Sequence, residues 1–271
     1  MPITERSPQD TPTPTRPGLV RMGQVLIACY AWIIFVVFIL TFFIVTLPLA
    51  RPRMPRRLAR WTARLLFRLV GVRITGIGLA GLPPTPHILV VNHASFLDPI
   101  LLTALLPADP GYTFTTRQEL RTQSVLCPLL NSVRTLVLYP SGGRYGLNIA
   151  LMKRALRQGQ NLVVFPEGRF TSQPGLLRFH SGAFVVAAAA QVPVVVAGLR
   201  GTRRALPMGH WMLRHTPLSL QIGPTISPMP NDPDAAFKMQ VAARAAMLPL
   251  SAEGEAPDAG PRATPATTPA D

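Results

Sequence analysis

From Met22 to Ala50 the chain runs 29 residues (MGQVLIACYAWIIFVVFILTFFIVTLPLA) without a charge. A bilayer-crossing helix needs about 20 predominantly apolar residues, and a longer stretch crosses with tilt. The apolar core of a cleavable leader would be only about 7–15 residues. The segment is therefore expected to be a transmembrane or membrane-embedded helix that Pro48 ends or kinks. A hairpin that re-enters one leaflet is the alternative that periodicity leaves open. Arg51, Arg53, Arg56, Arg57, Arg60 and Arg64 follow at once, against Arg16 and Arg21 on the other side. That bias places everything after residue 50 on the cytoplasmic face of the cell (inner) membrane.

Composition agrees with membrane association. Only 14% of the residues are charged, 48% are hydrophobic, and the net charge is +15. Eight arginines and no acid stand between residues 51 and 75. Within RRLARWTARLLFRLV (56–70), Arg56, Arg60, Arg64 and Arg68 recur every four residues, with Leu58, Trp61, Leu65 and Leu69 between them. On a helix this sets arginines on one side and Trp/Leu on another, the pattern of an interfacial membrane helix over 51–71. An ordinary surface helix of the following domain is the alternative. Arginines that flank a membrane segment are accounted for by anionic headgroups, so membrane lipids rather than nucleic acid are the expected partner. Residues 1–21 and 251–271, rich in Pro, Ala and Thr, are expected to be disordered ends. Cys29 and Cys127 are the only cysteines, which excludes a disulfide scaffold.

Residues 72–250 form the remaining domain. Short apolar runs at 87–91, 112–115, 135–139, 161–165, 193–199 and 218–222 predict strands. Helical patterns cover 100–106, 118–130, 144–157, 181–190 and 234–247. This alternation predicts an α/β fold with a mixed, partly parallel central sheet flanked by helices. The stretch Gly76-Ile77-Gly78-Leu79-Ala80-Gly81 matches a dinucleotide fingerprint in spacing. Leu82-Pro83-Pro84 follows where a helix should start, so it reads as a glycine-rich loop. No nucleophile elbow, P-loop or zinc-ligand spacing is present, and neither a metal nor a cofactor is expected.

In sheets of this kind ligands bind beyond the strand C-termini. Two clusters fall there. Asn92-His93-Ala94-Ser95-Phe96-Leu97-Asp98 contains a His-x4-Asp pair. Histidine titrates nearest neutrality and can take a proton from an alcohol, and an acid on its other ring nitrogen fixes the tautomer. A chance pairing is the alternative on spacing alone. In the second, Phe165-Pro166-Glu167-Gly168-Arg169-Phe170-Thr171, an apolar strand ends in a turn with both charge signs, where Arg169 is available to a phosphate. A plain surface turn with a Glu/Arg pair is the alternative.

Taken together, the NHxSxxD block, FPEG about 70 residues later and Val192-Pro193-Val194-Val195-Val196-Ala197-Gly198 resemble the PlsC-type glycerolipid acyltransferase family from about residue 71 to 225. The family includes 1-acylglycerol-3-phosphate acyltransferases. The resemblance implies transfer of a fatty acyl group from acyl-CoA or acyl carrier protein to the free hydroxyl of a lysolipid acceptor. It implies that His93 is the general base, that Asp98 orients it, and that no covalent intermediate forms. Glu167, Gly168 and Arg169 then match the acceptor-headgroup motif, with Thr171 in the same block and Arg117 replacing a lysine of the second block. Asn92 and Ser95 are expected to brace the loop.

The chain departs from the pattern in two places. Arg169 stands two residues after Glu167 rather than three, and Leu138-Tyr139-Pro140 stands where an acid and an arginine are usual. Arg134 or Arg144 is the candidate substitute. The resemblance thus favours 1-acylglycerol-3-phosphate as acceptor, giving phosphatidic acid, with another lysophospholipid or a lyso-aminolipid behind it. A membrane-anchored thioesterase and a non-enzymatic lipid-binding protein are the rival readings. His87, His180, His210 and His215 are expected in structural or surface roles, and Arg200, Arg203 and Arg204 face either donor phosphates or the membrane.

Overall fold

The computed structural model describes residues 53–118, 135–139 and 144–256, apart from 85 and 211, together with scattered residues between 22 and 37. Those scattered residues are helical, and Leu26, Ile33, Val36 and Val37 among them are exposed. The rest of the expected membrane segment lies outside the described residues, as do 1–21 and 257–271. Among the described residues no helix is long and apolar enough to cross a membrane.

Chain order gives α1 (Arg53–Leu69), β1 (Ile74–Ile77), β2 (Ile88–Val91), α2 (Asp98–Leu105), β3 (Tyr112–Arg117) and β4 (Leu136–Leu138). There follow α3 (Tyr145–Arg157), β5 (Asn161–Val164), α4 (Gly182–Ala190), β6 (Val194–Arg200), α5 (Thr202–Ala205), β7 (Leu218–Ile226) and α6 (Ala235–Ser251). The seven strands form one sheet in the order β1-β7-β6-β2-β5-β3-β4. Every neighbouring pair is parallel except β6–β7, so the sheet is mixed.

The apolar runs become strands because both faces of the sheet are covered, which is the condition that removes polar alternation. All four residues of β2 and all four of β5 are buried. On one face Leu89, Val91, Val163, Val195 and Ala197 pack with α1 and α2. On the other Ile88, Val90, Leu162, Val194 and Val196 pack with α3, α4 and α6.

Three expectations are corrected or left aside. Ile74–Ile77 is a strand that pairs with Leu218–Gln221, so the glycine-rich stretch begins in the sheet rather than as a loop. Gly78 then turns the chain at φ +76°, a conformation that favours glycine, into a single 3₁₀ turn. Residues 251–256, expected to open an unstructured tail, fold back onto the domain, where Leu176 bonds to Gly254 and Ala256. The helix expected over 118–130 lies outside the described residues.

Helix α1 packs on the domain as a surface helix. Ala59, Thr62, Ala63, Leu66 and Phe67 are buried toward the core, while Trp61 and Leu69 are exposed. Its arginines bind the domain. Arg64 Nε donates to Ala104 O at 2.7 Å and Arg60 to Leu105 O at 3.4 Å, both carbonyls in the last turn of α2. Cations suit that end of a helix, where carbonyls lack partners and the dipole is negative.

Candidate active site

Two segments 70 residues apart meet because β2 and β5 are parallel neighbours, with Val90 opposite Val164. Just beyond that register, Asn92–Asp98 and Phe165–Thr171 leave the same edge of the sheet. Arg117 ends β3 on this edge too, since β3 runs parallel to β5.

Asp98 opens α2, followed by Pro99, a residue suited to the first helical turn. Its carboxylate is fully buried. Oδ2 accepts the Ala94 N–H at 2.6 Å, the Ser95 N–H at 2.9 Å and the His93 ring nitrogen Nδ1 at 2.8 Å. An oxygen already accepting two amides is an acceptor toward the imidazole as well. Nδ1 therefore carries the hydrogen and Nε2 keeps its lone pair, a tautomer assigned from the network. A carboxylate at the helix N-terminus is also favoured by the helix dipole.

The imidazole is walled by aromatics. Phe165 stacks on it at 4.1 Å between centroids and 18° between planes. Phe170 meets it edge-on at 4.5 Å, and exposed Phe96 meets Phe170 edge-on at 4.8 Å. The His93 side chain keeps 16% of its surface open.

Below the ring, the backbone is clamped. Asn92 Nδ2 donates to Leu199 O at 3.2 Å, and Leu199 N–H donates back to Asn92 Oδ1 at 2.7 Å. Ser95 Oγ donates to Leu206 O at 2.8 Å and accepts the Leu97 N–H. Both side chains are buried braces.

Glu167 faces inward rather than toward a ligand, with 3% of its surface exposed. Oε1 accepts the His93 N–H and Oε2 the Leu177 N–H, each at 2.8 Å. Burial pushes its carboxyl up to about 7; the two N–H donors and Arg203 pull the other way, and the charge of Glu253 adds to the rise. Gly168 turns the chain at φ +68°. Arg169 is exposed beyond it, while the Thr171 hydroxyl donates to Gln173 O within its own turn.

Of the residues singled out in the sequence, then, the fold joins His93, Asp98 and Glu167 by direct hydrogen bonds. It leaves Arg169 and Thr171 on the adjoining loop, and it sets Arg117 two strands away on the same edge. Phe165 and Phe170 were not singled out; their flanking of Glu-Gly-Arg, next to a strand end that must meet a histidine, was the available signal. His87 binds the Tyr112 hydroxyl at 2.8 Å in the core, away from this edge. Arg200 donates to Pro249 O and Leu250 O, and Arg203 pairs with Glu253, which commits both to the C-terminal region. Among the described residues no group of His, Cys, Asp and Glu could hold a metal.

Comparisons with known proteins give the arrangement a family. A family model described as Acyltransferase matches residues 73–200. The chain is 32% identical over 154 residues to the lyso-ornithine lipid O-acyltransferase of Pseudomonas aeruginosa, covering 56% of this chain and 57% of that protein. It is 29% identical over 158 residues to the 1-acyl-sn-glycerol-3-phosphate acyltransferase of Saccharomyces cerevisiae, covering 52% and 48%. The Neisseria gonorrhoeae 1-acyl-sn-glycerol-3-phosphate acyltransferase is 32% identical over 145 residues, covering 48% and 54%. The chain thus spans about half the length of these curated relatives. The crystal structure of the 1-acyl-sn-glycerophosphate (LPA) acyltransferase PlsC from Thermotoga maritima superposes with a TM-score of 0.67 at 17% identity. That match covers 83% of this chain and 95% of the other, which shows a shared fold. Residues 73–200, which carry the His93–Asp98 pair and the Glu167 loop, are thus similar to acyltransferases of the PlsC type.

Proposed function

We propose that this protein is a membrane-associated enzyme that moves a fatty acyl group from an acyl thioester to the free hydroxyl of a lysolipid. The observation that carries the reading is the locked tautomer of His93, which leaves Nε2 as a base at the open edge of the sheet. Nε2 removes the acceptor's hydroxyl proton as the oxygen attacks the thioester carbonyl carbon. A C–O bond forms, the C–S bond breaks, and the departing thiolate recovers the proton from the imidazolium. The Asp98 carboxylate steadies that imidazolium through Nδ1. Proton transfer of this kind is worth about 10²–10⁴-fold, and holding two substrates together adds more.

The leading acceptor is 1-acylglycerol-3-phosphate, with phosphatidic acid as product; Arg169, exposed on the loop beside the base, is the cation suited to its phosphate. Several relatives carry that activity in their names. A lyso-aminolipid is the second reading, favoured by the P. aeruginosa relative and by the altered block at Leu138-Tyr139-Pro140. There the Tyr139 backbone is held in both directions by Asn148, and the Arg144 guanidinium lies 5.0 Å from the Tyr139 ring centre. The donor is acyl-CoA or acyl carrier protein.

The domain is attached to the cytoplasmic face of the inner membrane through residues 22–50 and the exposed Trp61 and Leu69 of α1. The test is acyl transfer by the detergent-solubilised full chain, with labelled acyl-CoA or acyl carrier protein and a panel of lysolipids, and His93→Ala as control. His93-dependent product with lysophosphatidate is expected, and Arg169→Ala should raise its KM without altering the donor's. Product with a lyso-aminolipid alone would select the second reading. Thioester loss without any acceptor dependence would make the protein a hydrolase.

A further inference from the structure

After α6 the chain reverses at Ala252 and runs back along the segment that leads out of the Glu167 loop. Three successive amides of that segment have three different acceptors. Gly175 N–H reaches Glu253 Oε2 at 3.2 Å, and Leu176 N–H reaches Gly254 O at 2.9 Å. Leu177 N–H reaches Glu167 Oε2, whose other oxygen holds the backbone of His93. The returning chain and the His93 backbone are thus linked by three hydrogen bonds, through the Leu176-Leu177 dipeptide and the Glu167 carboxylate.

The contact is built closely. A Cβ on Gly175 would stand 2.5 Å from Ala256 N, so the two strands touch only because that position has no side chain. Leu176 and Ala256 are buried. Glu253 also accepts from Arg203 Nε at 2.8 Å, with both side chains mostly covered, and Arg203 donates in turn to Thr171 O, inside the acceptor loop. Arg244 adds a second tie, from Glu255 Oε1 at 2.8 Å to Leu176 O at 3.2 Å. The loop from 165 to 177 has no regular secondary structure of its own to hold these positions.

We propose that residues 253–256 are part of the active-site scaffold, and that Glu253 and Arg203 are positioning residues for Glu167 and, through it, for His93. The inference rests on the acyltransferase reading for its kinetic consequence, but the coupling itself is readable without activity. The carboxylate of Glu253 fixes Arg203 and the Gly175 amide; these set the path of 171–177, and the Leu177 amide then meets Glu167.

The experiment compares the full chain with Glu253→Gln and, approaching from the other side, Arg203→Gln. Neither residue contacts the reacting atoms. Hydrogen exchange resolved over 88–98 and 170–180 is measured beside steady-state kinetics and thermal unfolding. The expected result is faster exchange of the His93 and Leu177 amides in both variants, with kcat down about tenfold, the worth of one charge-assisted hydrogen bond. The donor's KM should be unaltered. Faster exchange confined to 175–176, with His93 protection and kcat as in the parent, would overturn the proposal and leave the returning chain a passive cover. Should the parent show no acyl transfer, the functional reading fails separately, and protection of the His93 amide still decides the coupling. If one variant does not fold, the other decides alone.

Discussion

Asn92 and Leu199 hold each other through both of their hydrogen-bonding groups: the Asn92 amide spans from the end of β2 to the backbone of β6, giving one bond and receiving another. The next residue is His93, so the base starts from a point stapled to the sheet centre. Asn92→Ala orphans a buried N–H and a buried C=O together. Each costs about 1–3 kcal/mol, so a loss of about 2–6 kcal/mol is expected in urea unfolding. Acyl transfer should fall as well, since the histidine loses its support. A stability change under about 1 kcal/mol would mean that water replaces the side chain.

Asp98→Asn tests the tautomer assignment. The amide can present its NH2 to the ring, which turns Nε2 into a donor and removes the base. Transfer should drop by about 10²–10⁴-fold with both substrates' KM little altered. His93→Ala should reach a similar floor, and the double variant should be no worse than either, because the two act as one unit. Additive losses would separate their roles.

Glu167 predicts a pH signature. Its buried carboxyl titrates at about 7 in the fold against about 4.5 when unfolded. Between those values the folded chain holds a proton that the unfolded chain has released. The contribution is present in full below about pH 4.5 and is lost as pH rises through 7, an effect of up to about 3 kcal/mol. Chemical unfolding of the parent and of Glu167→Gln at pH 5 and pH 7.5 isolates it. The parent should weaken relative to the variant as pH rises; parallel lines would contradict the burial argument.

Phe170→Ala addresses water. The ring covers one side of His93, and removing it opens the base to solvent. The ratio of acceptor-independent thioester hydrolysis to acyl transfer should rise several-fold, while thermal unfolding shifts little because the residue lies on a partly exposed loop. An unchanged ratio would show that water is excluded elsewhere.

Much of this arrangement is legible in the residues. Strands buried on both faces read as unbroken apolar runs, which is why β2, β5 and β6 stand out; the site clusters follow each of the first two directly. β1 does not, because an edge strand with alternate residues half exposed and a glycine inside it has neither the run nor the composition of its neighbours. Glu167 reads as a ligand contact because its sequence neighbours are a glycine and an arginine. Only the parallel register of β2 with β5 reveals that its carboxylate has two backbone amides to satisfy. Residues 253–256 escape for a related reason: they are held by backbone bonds and two glutamates, and no apolar pattern announces them.

Helix α2 works as a spacer. Its first residue is Asp98 and its last carbonyls are gripped by Arg60 and Arg64 of α1. Eight residues at 1.5 Å each make a rod of roughly 12 Å. On the proposed attachment of α1 to a bilayer, α2 would hold the imidazole at a set distance from the anchoring helix. On that reading a lipid acceptor would meet the base at one fixed depth, and would be chosen partly by how far its hydroxyl stands out of the membrane.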